Sequence, residues 1–521
     1  MRREIERRFL EVFLLLLLCL LTSSLFAFRS REVAGVFGGV PLDDSYIHFR
    51  YAQNLALGRG FCYNPGEPSP GETSPFWAIL LSLLVPLTKN LILTSQLLGV
   101  LFSFLTAVVM TAIARSLGFL RSWALWVGIL VALLGRMSWA ALSGMEISLF
   151  ALLIAVAVWL HLRSETGWFS WIGSYLLLGL ATNVRPEGYL LCAFFLFDDG
   201  LRIVTGRCWR RAISLAFGGL VFLSLVLPYI LFCYFTIGRP FPASYYAKII
   251  LHTYRTGGEP SSLAPGWMVA IRYLKKAGSL WFYEDHRILG GLAMLGLFPW
   301  LRRVAGSPGR LVVMIFPFFI AIGSIGLSAP HHARYYLPLS PFLVLLGVGG
   351  ILWVDGHLRK QWPRMVWISN LLLVLALLDG LWGVWRMSSC YAYEVDNIEK
   401  LHVSTAQWIN GHLPQGATLV THDVGALVYL TDRKVIDPVG LVTPEIWRYF
   451  EHRERYGFGL INVIYYFLKE RKPEYFVIAP NIYPQIAYAG FLEPLHWAVS
   501  PQVVAVGESL IVYRAHWERA P

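Results

Sequence analysis

The sequence predicts an α-helical polytopic membrane protein of about 11 transmembrane helices, followed by a C-terminal extracytoplasmic α/β domain. Three observations predict it. The apolar set makes up 56% of 521 residues and charged residues only 15%, with a mean hydropathy of +0.55. Apolar runs recur along the chain, separated by short basic segments. After about Arg386 the composition shifts to that of soluble protein. A water-soluble globule of this composition would leave too much apolar surface exposed, which excludes an ordinary cytosolic enzyme, a disordered chain and a collagen-like fibre. Twenty Trp, 25 Tyr and 32 Phe suit aromatic belts at two membrane interfaces.

The first span covers residues 9–28 behind a basic start (MRREIERR). No small-x-small cleavage site follows, so it reads as an uncleaved signal anchor with its N-terminus inside. Further spans fall at 92–114, 123–142, 147–162, 170–184, 188–205, 213–235, 288–301, 311–327, 336–354 and 366–384. Residues 76–87 are apolar enough to be a twelfth, and that choice inverts everything downstream. If they lie on the outer surface, 17 cations fall on the cytoplasmic side. If they span, the 13 beyond the N-terminus move outside. The positive-inside rule selects the first arrangement. The net charge of +12 is therefore a topology signal and not a nucleic-acid footprint.

Outward segments are then a long Gly- and Pro-rich loop (29–91), tight turns at 143–146 and 185–187, a stretch from 235 to about 287, a short segment at 329–335, and the C-terminal tail. The chain divides into a membrane part, 1–387, and a tail domain, 388–521. Within the tail, 404–412 reads as helix and 417–421 and 475–479 read as strands. Residues 503–506 and 509–513 read as a hairpin through Gly507-Glu508. The six cysteines show no metal spacing, and a Cys62–Cys390 bridge is conceivable without being required.

The candidate chemistry begins at Asp43-Asp44, close behind the first span. Like charges side by side and partly desolvated raise one carboxyl pKa toward the range of a general base, suited to a sugar hydroxyl. The structural alternative is a solvated turn in which Asp caps the following helix. Asp423 and Asp437 look like strand-end turn residues, and Arg136, near a span end, faces a cavity or snorkels. His331-His332 could touch a metal, but adjacent side chains rarely share one ion, so an interfacial or phosphate contact is favoured. The sequence contains no Walker A, HExxH or nucleophile-elbow motif.

The stretch Asp43-Asp-Ser-Tyr-Ile-His-Phe-Arg-Tyr-Ala-Gln-Asn54, with Gly58-Arg-Gly60, Asn64-Pro-Gly-Glu67 and Gly71-Glu-Thr-Ser-Pro-Phe-Trp77, resembles the first periplasmic loop of GT-C glycosyltransferases, most nearly the arabinofuranosyltransferase-like branch. Weaker matches follow in order: Ser143-Gly-Met-Glu146, Arg185-Pro-Glu-Gly188, Pro242-Ala-Ser-Tyr-Tyr-Ala-Lys248, Arg334-Tyr-Tyr-Leu-Pro338 and Asp437-Pro-Val-Gly-Leu441. The loop departs from the family pattern at Pro68-Ser-Pro-Gly-Glu72. The resemblance implies a GT-C-like fold and transfer of a sugar, with inversion, from a polyprenyl-phosphate donor to a glycan, lipid or protein acceptor. It implies Asp43 as general base, with Asp44 orienting it or binding acceptor. Arg50, Tyr51, Asn54, Glu146, Arg185, Glu187, Lys248, His332 and Arg334 are the expected substrate contacts. Lys248, Arg185 and Arg334 would meet the lipid phosphate, since its departure needs cations more than a strong acid. No cofactor, nucleotide-sugar site or nucleic-acid partner is expected. The competing class is a secondary transporter or lipid flippase, which should carry internal repeats and broken spans around a midplane site.

Overall fold

The computed structural model describes residues 2–88, 90–163, 168–206, 209–247, 287–303, 332, 334–456, 459–502 and 507–520. The expected span at 311–327, residues 248–286 with Lys248, His331, and the expected strand at 503–506 lie outside them.

The chain enters through α1 (Arg2–Ala34), followed by α2 (Asp44–Ala56), α3 (Pro75–Leu84) and α4 (Leu91–Ser116). The topology of this quarter is fixed by charge. Glu11 near the start of α1 pairs with Arg115 at the end of α4 and with Arg121, and Arg121 also meets Glu4 at 2.7 Å. The start of α1 and the end of α4 therefore share one face, so the chain makes no third crossing between them. Helix α3 is consistent with this. Its 10 residues reach about 15 Å, half the ~30 Å of a hydrocarbon core, and it buries Trp77, Ala78 and Leu81 against the bundle.

The expected span 123–142 is two helices, α5 (Arg121–Ala132) and α6 (Gly135–Leu142), meeting at 53°. The bundle continues through α7 (Ile147–Leu162), α8 (Trp168–Val184), α9 (Gly188–Gly206) and α10 (Trp209–Ile237), then α11 (Arg287–Arg303), α12 (Ser340–Gln361) and α13 (Trp367–Ile398). Among the described residues five helices are long and apolar enough to cross a membrane, or six with the bent pair as one span. Leucine and aromatic side chains stand exposed along α1, α10 and α13 (Phe13, Leu17, Leu21; Phe217, Leu220, Leu227; Leu371, Leu378, Trp382). Such stripes are tolerable only against lipid, so the protein is a multi-pass membrane protein. Helices α11 and α12 meet so closely that a Cβ on Gly350 would fall 2.1 Å from the Leu292 carbonyl oxygen.

Helix α13 runs through position 388 to Ile398 and leads, by a π turn at Glu399–Val403, into α14 (Ser404–His412). The tail then folds as β1 (Leu419–Thr421), α15 (Ala426–Thr431), β2 (Val435–Ile436), α16 (Trp447–Glu451), α17 (Leu460–Arg471), β3 (Tyr475–Ile478), α18 (Pro484–Ala487), β4 (Leu492–Val499) and β5 (Ser509–Ala515). The sheet order is β2-β1-β3-β5-β4, parallel on one side and antiparallel on the other. The expected hairpin partner of β5, residues 503–506, lies outside the described residues; among these, β5 pairs with β4, and Ser500 N donates to Glu508 O at 2.9 Å where the two strands end. Pro494 obscured β4 in the sequence. An edge strand tolerates a proline, and the register shifts between Pro494 and His496.

The tail domain lies on the first loop. Tyr51, Tyr63 and Ala78 pack with Val424, Val428, Val435 and Val442 in one apolar cluster. Asn64 exchanges two 3.0 Å hydrogen bonds with the backbone of Val435. Cys62 and Cys390 are not joined in a disulfide.

Candidate active site

Asp43 precedes α2 in the capping position but makes no side-chain capping bond. Its carboxylate instead accepts from the backbone N–H groups of Gly425 and Ala426, both at 2.7 Å, at the start of α15 in the tail domain. The approach is close enough that a Cβ on Gly425 would lie 1.9 Å from the Asp43 carbonyl oxygen. Asp423, two residues earlier, meets Nε2 of the buried His402 at 2.9 Å. Burial pushes the Asp43 carboxyl up to about 6. His402 and the two amides oppose that shift, and Asp423 adds to it. Burial alone would lower the His402 pKa, but its bond to Asp423 and the charge of Asp43 raise it.

Asp44 faces the other way. Nearly half its side chain is exposed (46%), and it accepts from Arg334 Nη2 at 2.7 Å. Arg334 is buried, and its guanidinium lies 5.6 Å from the ring centre of Tyr335; Arg185 approaches the same ring at 5.0 Å. Arg185 donates from Nη1 to Glu146 at 2.6 Å and from Nη2 to Glu187 at 2.8 Å. Arg185 Nε and Arg334 Nη1 are buried and have no hydrogen-bond partner among the described residues.

Behind these cations runs an ion chain that the sequence reading missed. Glu146 meets His48 Nε2 at 3.1 Å, and His48 Nδ1 reaches both oxygens of Glu72 at 2.9 and 3.0 Å. Burial alone would lower the His48 pKa, but the two carboxylates drive it to about 10. Burial would raise Glu146, yet His48 and Arg185 hold it down to about 2. The available signal for His48 was its position one helical turn after Asp44 on α2. For Glu72 it was the departure from the family pattern. His402, Asp423 and Gly425 carried no signal, being roughly 360 to 380 residues from the carboxylate they approach.

Asp43, Asp44, Glu146, Arg185, Glu187 and Arg334 thus gather around the join of first loop, turns and tail. Arg50, Tyr51 and Asn54, expected as substrate contacts, are each 0% exposed and so present no surface to a ligand. Arg50 Nε and Asn54 Nδ2 donate to the Tyr63 carbonyl at 3.2 and 3.0 Å, Arg50 pairs with Asp432 of the tail, and Tyr51 donates to Ser69 O at 3.1 Å. They shape the loop. His332 joins a second polar group, 2.7 Å from Glu394, which also accepts from Trp139 Nε1 at 2.6 Å. Arg136 is 2% exposed and donates to the His332 carbonyl at 2.9 Å, so it does not snorkel. Asp437 is a turn residue: its carboxylate accepts from the N–H groups of Val439 and Val442 at 2.7 and 3.1 Å.

One His/Asp group with metal-like spacing occurs among the described residues: His161, Asp198 and Asp199. It lies at the far end of α7, about 20 Å of helix from Glu146. Arg202 already meets Asp198 at 2.8 Å, and Trp171 and Tyr175 each donate to Asp199 at 2.7 Å. These contacts suit helix packing.

The helical membrane bundle with a small sheet domain is similar to several solved structures. The structure of ArnT from Cupriavidus metallidurans bound to undecaprenyl phosphate matches with a TM-score of 0.58 at 15% identity, over 96% of this chain and 97% of that one. The Archaeoglobus fulgidus oligosaccharyltransferase in complex with Zn and sulfate matches with a TM-score of 0.60 at 12% identity, over 96% and 73%. AglB of the same organism, with an inhibitory peptide and a dolichol-phosphate, matches at 0.58 and 11%, over 98% and 77%. The chain shares the overall fold of these structures. Residues 393–520 match a family described as a domain of unknown function, DUF8728. No curated protein matches the sequence.

Proposed function

We propose that this protein is an integral membrane glycosyltransferase that transfers a sugar from a polyprenyl-phosphate donor to a cell-envelope glycan, lipid or protein, with inversion, on the extracytoplasmic face. The observation that carries the reading is the pair of buried guanidiniums, Arg185 and Arg334, sharing Tyr335 beside the half-exposed Asp44, each with a nitrogen unpartnered among the described residues. Buried cations with spare donors at a membrane face suit an anionic headgroup whose tail stays in the bilayer. The undecaprenyl phosphate in ArnT and the dolichol-phosphate in AglB support a lipid phosphate as that headgroup.

The two aspartates divide the work by their surroundings. Asp43 has both oxygens committed to backbone amides, whereas the Asp44 side chain is half-exposed. We therefore assign the general base to Asp44 and a holding role to Asp43, reversing the order the sequence suggested. Asp44 takes the proton of the acceptor hydroxyl as its oxygen bonds to the anomeric carbon and the bond from that carbon to the phosphate oxygen breaks. Arg185, Arg334 and Lys248 neutralise the departing lipid phosphate. Glu146 and Glu187 fix Arg185. Residues 388–521 act as the extracytoplasmic domain that roofs this site.

The test is incubation of purified protein with a panel of undecaprenyl-phosphate sugars and an acceptor membrane fraction. Release of undecaprenyl phosphate that depends on acceptor and is lost in Asp44→Asn is expected. No release with any donor would overturn the reading.

A further inference from the structure

The contact between tail and first loop contains one feature that docking alone does not require. Apolar packing and the Asn64–Val435 pair already join the two surfaces. A carboxylate buried in the same contact is a costly addition unless its position matters. That carboxylate is Asp43, 7% exposed, and the next residue along the chain is Asp44. The connection is continuous: the Gly425 and Ala426 amides grip Asp43, one peptide bond leads to Asp44, and Asp44 meets Arg334.

We propose that Gly425, His402 and Asp423 of the tail are positioning residues of the transfer reaction, holding Asp43 so that Asp44 stands at the donor cations. This rests on the glycosyltransferase reading above. Gly425 permits the approach because any Cβ there would collide with Asp43. Asp423 orients His402, and His402 supplies the cationic influence that favours the ionised form of Asp43. Ionisation matters geometrically. A protonated Asp43 would turn an O–H toward one of two N–H groups and lose half the clamp. The groups acting on Asp43 are His402 from the turn between α13 and α14, and Asp423 with the two amides from the loop between β1 and α15. Tyr46 of α2 and Tyr63 of the first loop lie within its field.

The experiment uses the full-length protein in detergent micelles, with the undecaprenyl-phosphate sugar that supports turnover. Gly425→Ala should lower kcat about a hundredfold, the scale of an ångström misplacement, while donor affinity stays within about twofold on the same reasoning. Asp423→Asn should lower kcat in the same direction. His402→Ala should lower kcat and move the acid limb of the kcat–pH profile to higher pH. His402→Gln, which keeps an N–H donor but not the charge, should recover rate above the limb and keep the limb displaced. Hydrogen exchange over residues 43–56 should rise in Gly425→Ala and His402→Ala. An active wild type with unchanged kcat and acid limb in His402→Ala and Asp423→Asn overturns the inference and leaves the function standing. Should Gly425→Ala not fold, the two His402 variants decide alone. A wild type inactive with every donor overturns the function and this role with it.

Discussion

Asp44 accepts a 2.7 Å hydrogen bond from Arg334 while nearly half of its side chain stays open to solvent, and its neighbour Asp43 is sealed beneath the tail domain. Two adjacent carboxylates thus meet opposite surroundings, one half-open to solvent beside a guanidinium and one buried against two backbone amides.

Asp44→Asn should therefore lose transfer by ~10²–10⁴-fold, the contribution of a general base, and keep donor binding. Asp43→Asn can accept from only one of the two amides and should lose less. Single-turnover rates with matched donor affinity measure both. A larger loss in Asp43→Asn would return the base role to that residue.

The donor phosphate is tested at Arg185, Arg334 and Lys248. Anchoring to anionic lipid is worth about 1 kcal/mol per cation near the surface, whereas a charge-assisted hydrogen bond contributes ~1.5–3 kcal/mol. Replacing Arg334 or Lys248 by Gln should weaken donor affinity roughly tenfold or more and leave acceptor affinity unchanged. Arg185→Gln should do the same and also destabilise, because Glu187 loses its partner and Glu146 keeps only His48. Unchanged donor affinity in all three would leave the phosphate site elsewhere.

The helices were legible because apolar runs and basic punctuation are local signals. Residues 147–162 and 404–412 were readable to their ends. What lay out of reach was long-range. Nothing in the order of residues says that Asp43 meets Gly425, or that Arg50, Tyr51 and Asn54 turn inward to hold Tyr63, Ser69 and Asp432. A motif reports which residues matter and not which way they face. Burial is decided by the tail, whose approach only the folded chain defines.

The Glu72–His48–Glu146 chain carries a pH signature. His48 is raised from 6.5 to about 10, so its contribution to stability is complete below pH 6.5 and is lost as pH rises through 10. Glu146 is lowered from 4.5 to about 2, so its contribution is present above pH 4.5 and is lost as pH falls through 2. His48→Gln should lower Tm most between those limits and converge with wild type above pH 10. Breaking a buried pair costs about 3–5 kcal/mol, a shift visible in a thermal melt of detergent-solubilised protein. A Tm gap independent of pH from 6 to 11 would mean that His48 is neutral in the folded state.

The last prediction concerns which faces of the bundle share a side. Glu4 and Glu11 of α1 pair with Arg115 and Arg121 across the α4–α5 link, so those ends lie together and α3 cannot cross between them. Counting cations predicts that this face is cytoplasmic, with the first loop and the tail domain outside. Leu87, 81% exposed just after α3, and Lys360, exposed near the end of α12, should then lie on opposite sides. In a variant lacking the native cysteines, Leu87→Cys should react with a membrane-impermeant maleimide in intact cells, and Lys360→Cys only after permeabilisation. Arg121→Cys should behave like Lys360→Cys, because its partners lie at the start of α1. Labelling of Arg121→Cys from outside together with Leu87→Cys would place α3 across the bilayer. It would also move the candidate site to the cytoplasmic face, where nucleotide sugars are available and a lipid-carried donor would no longer be required.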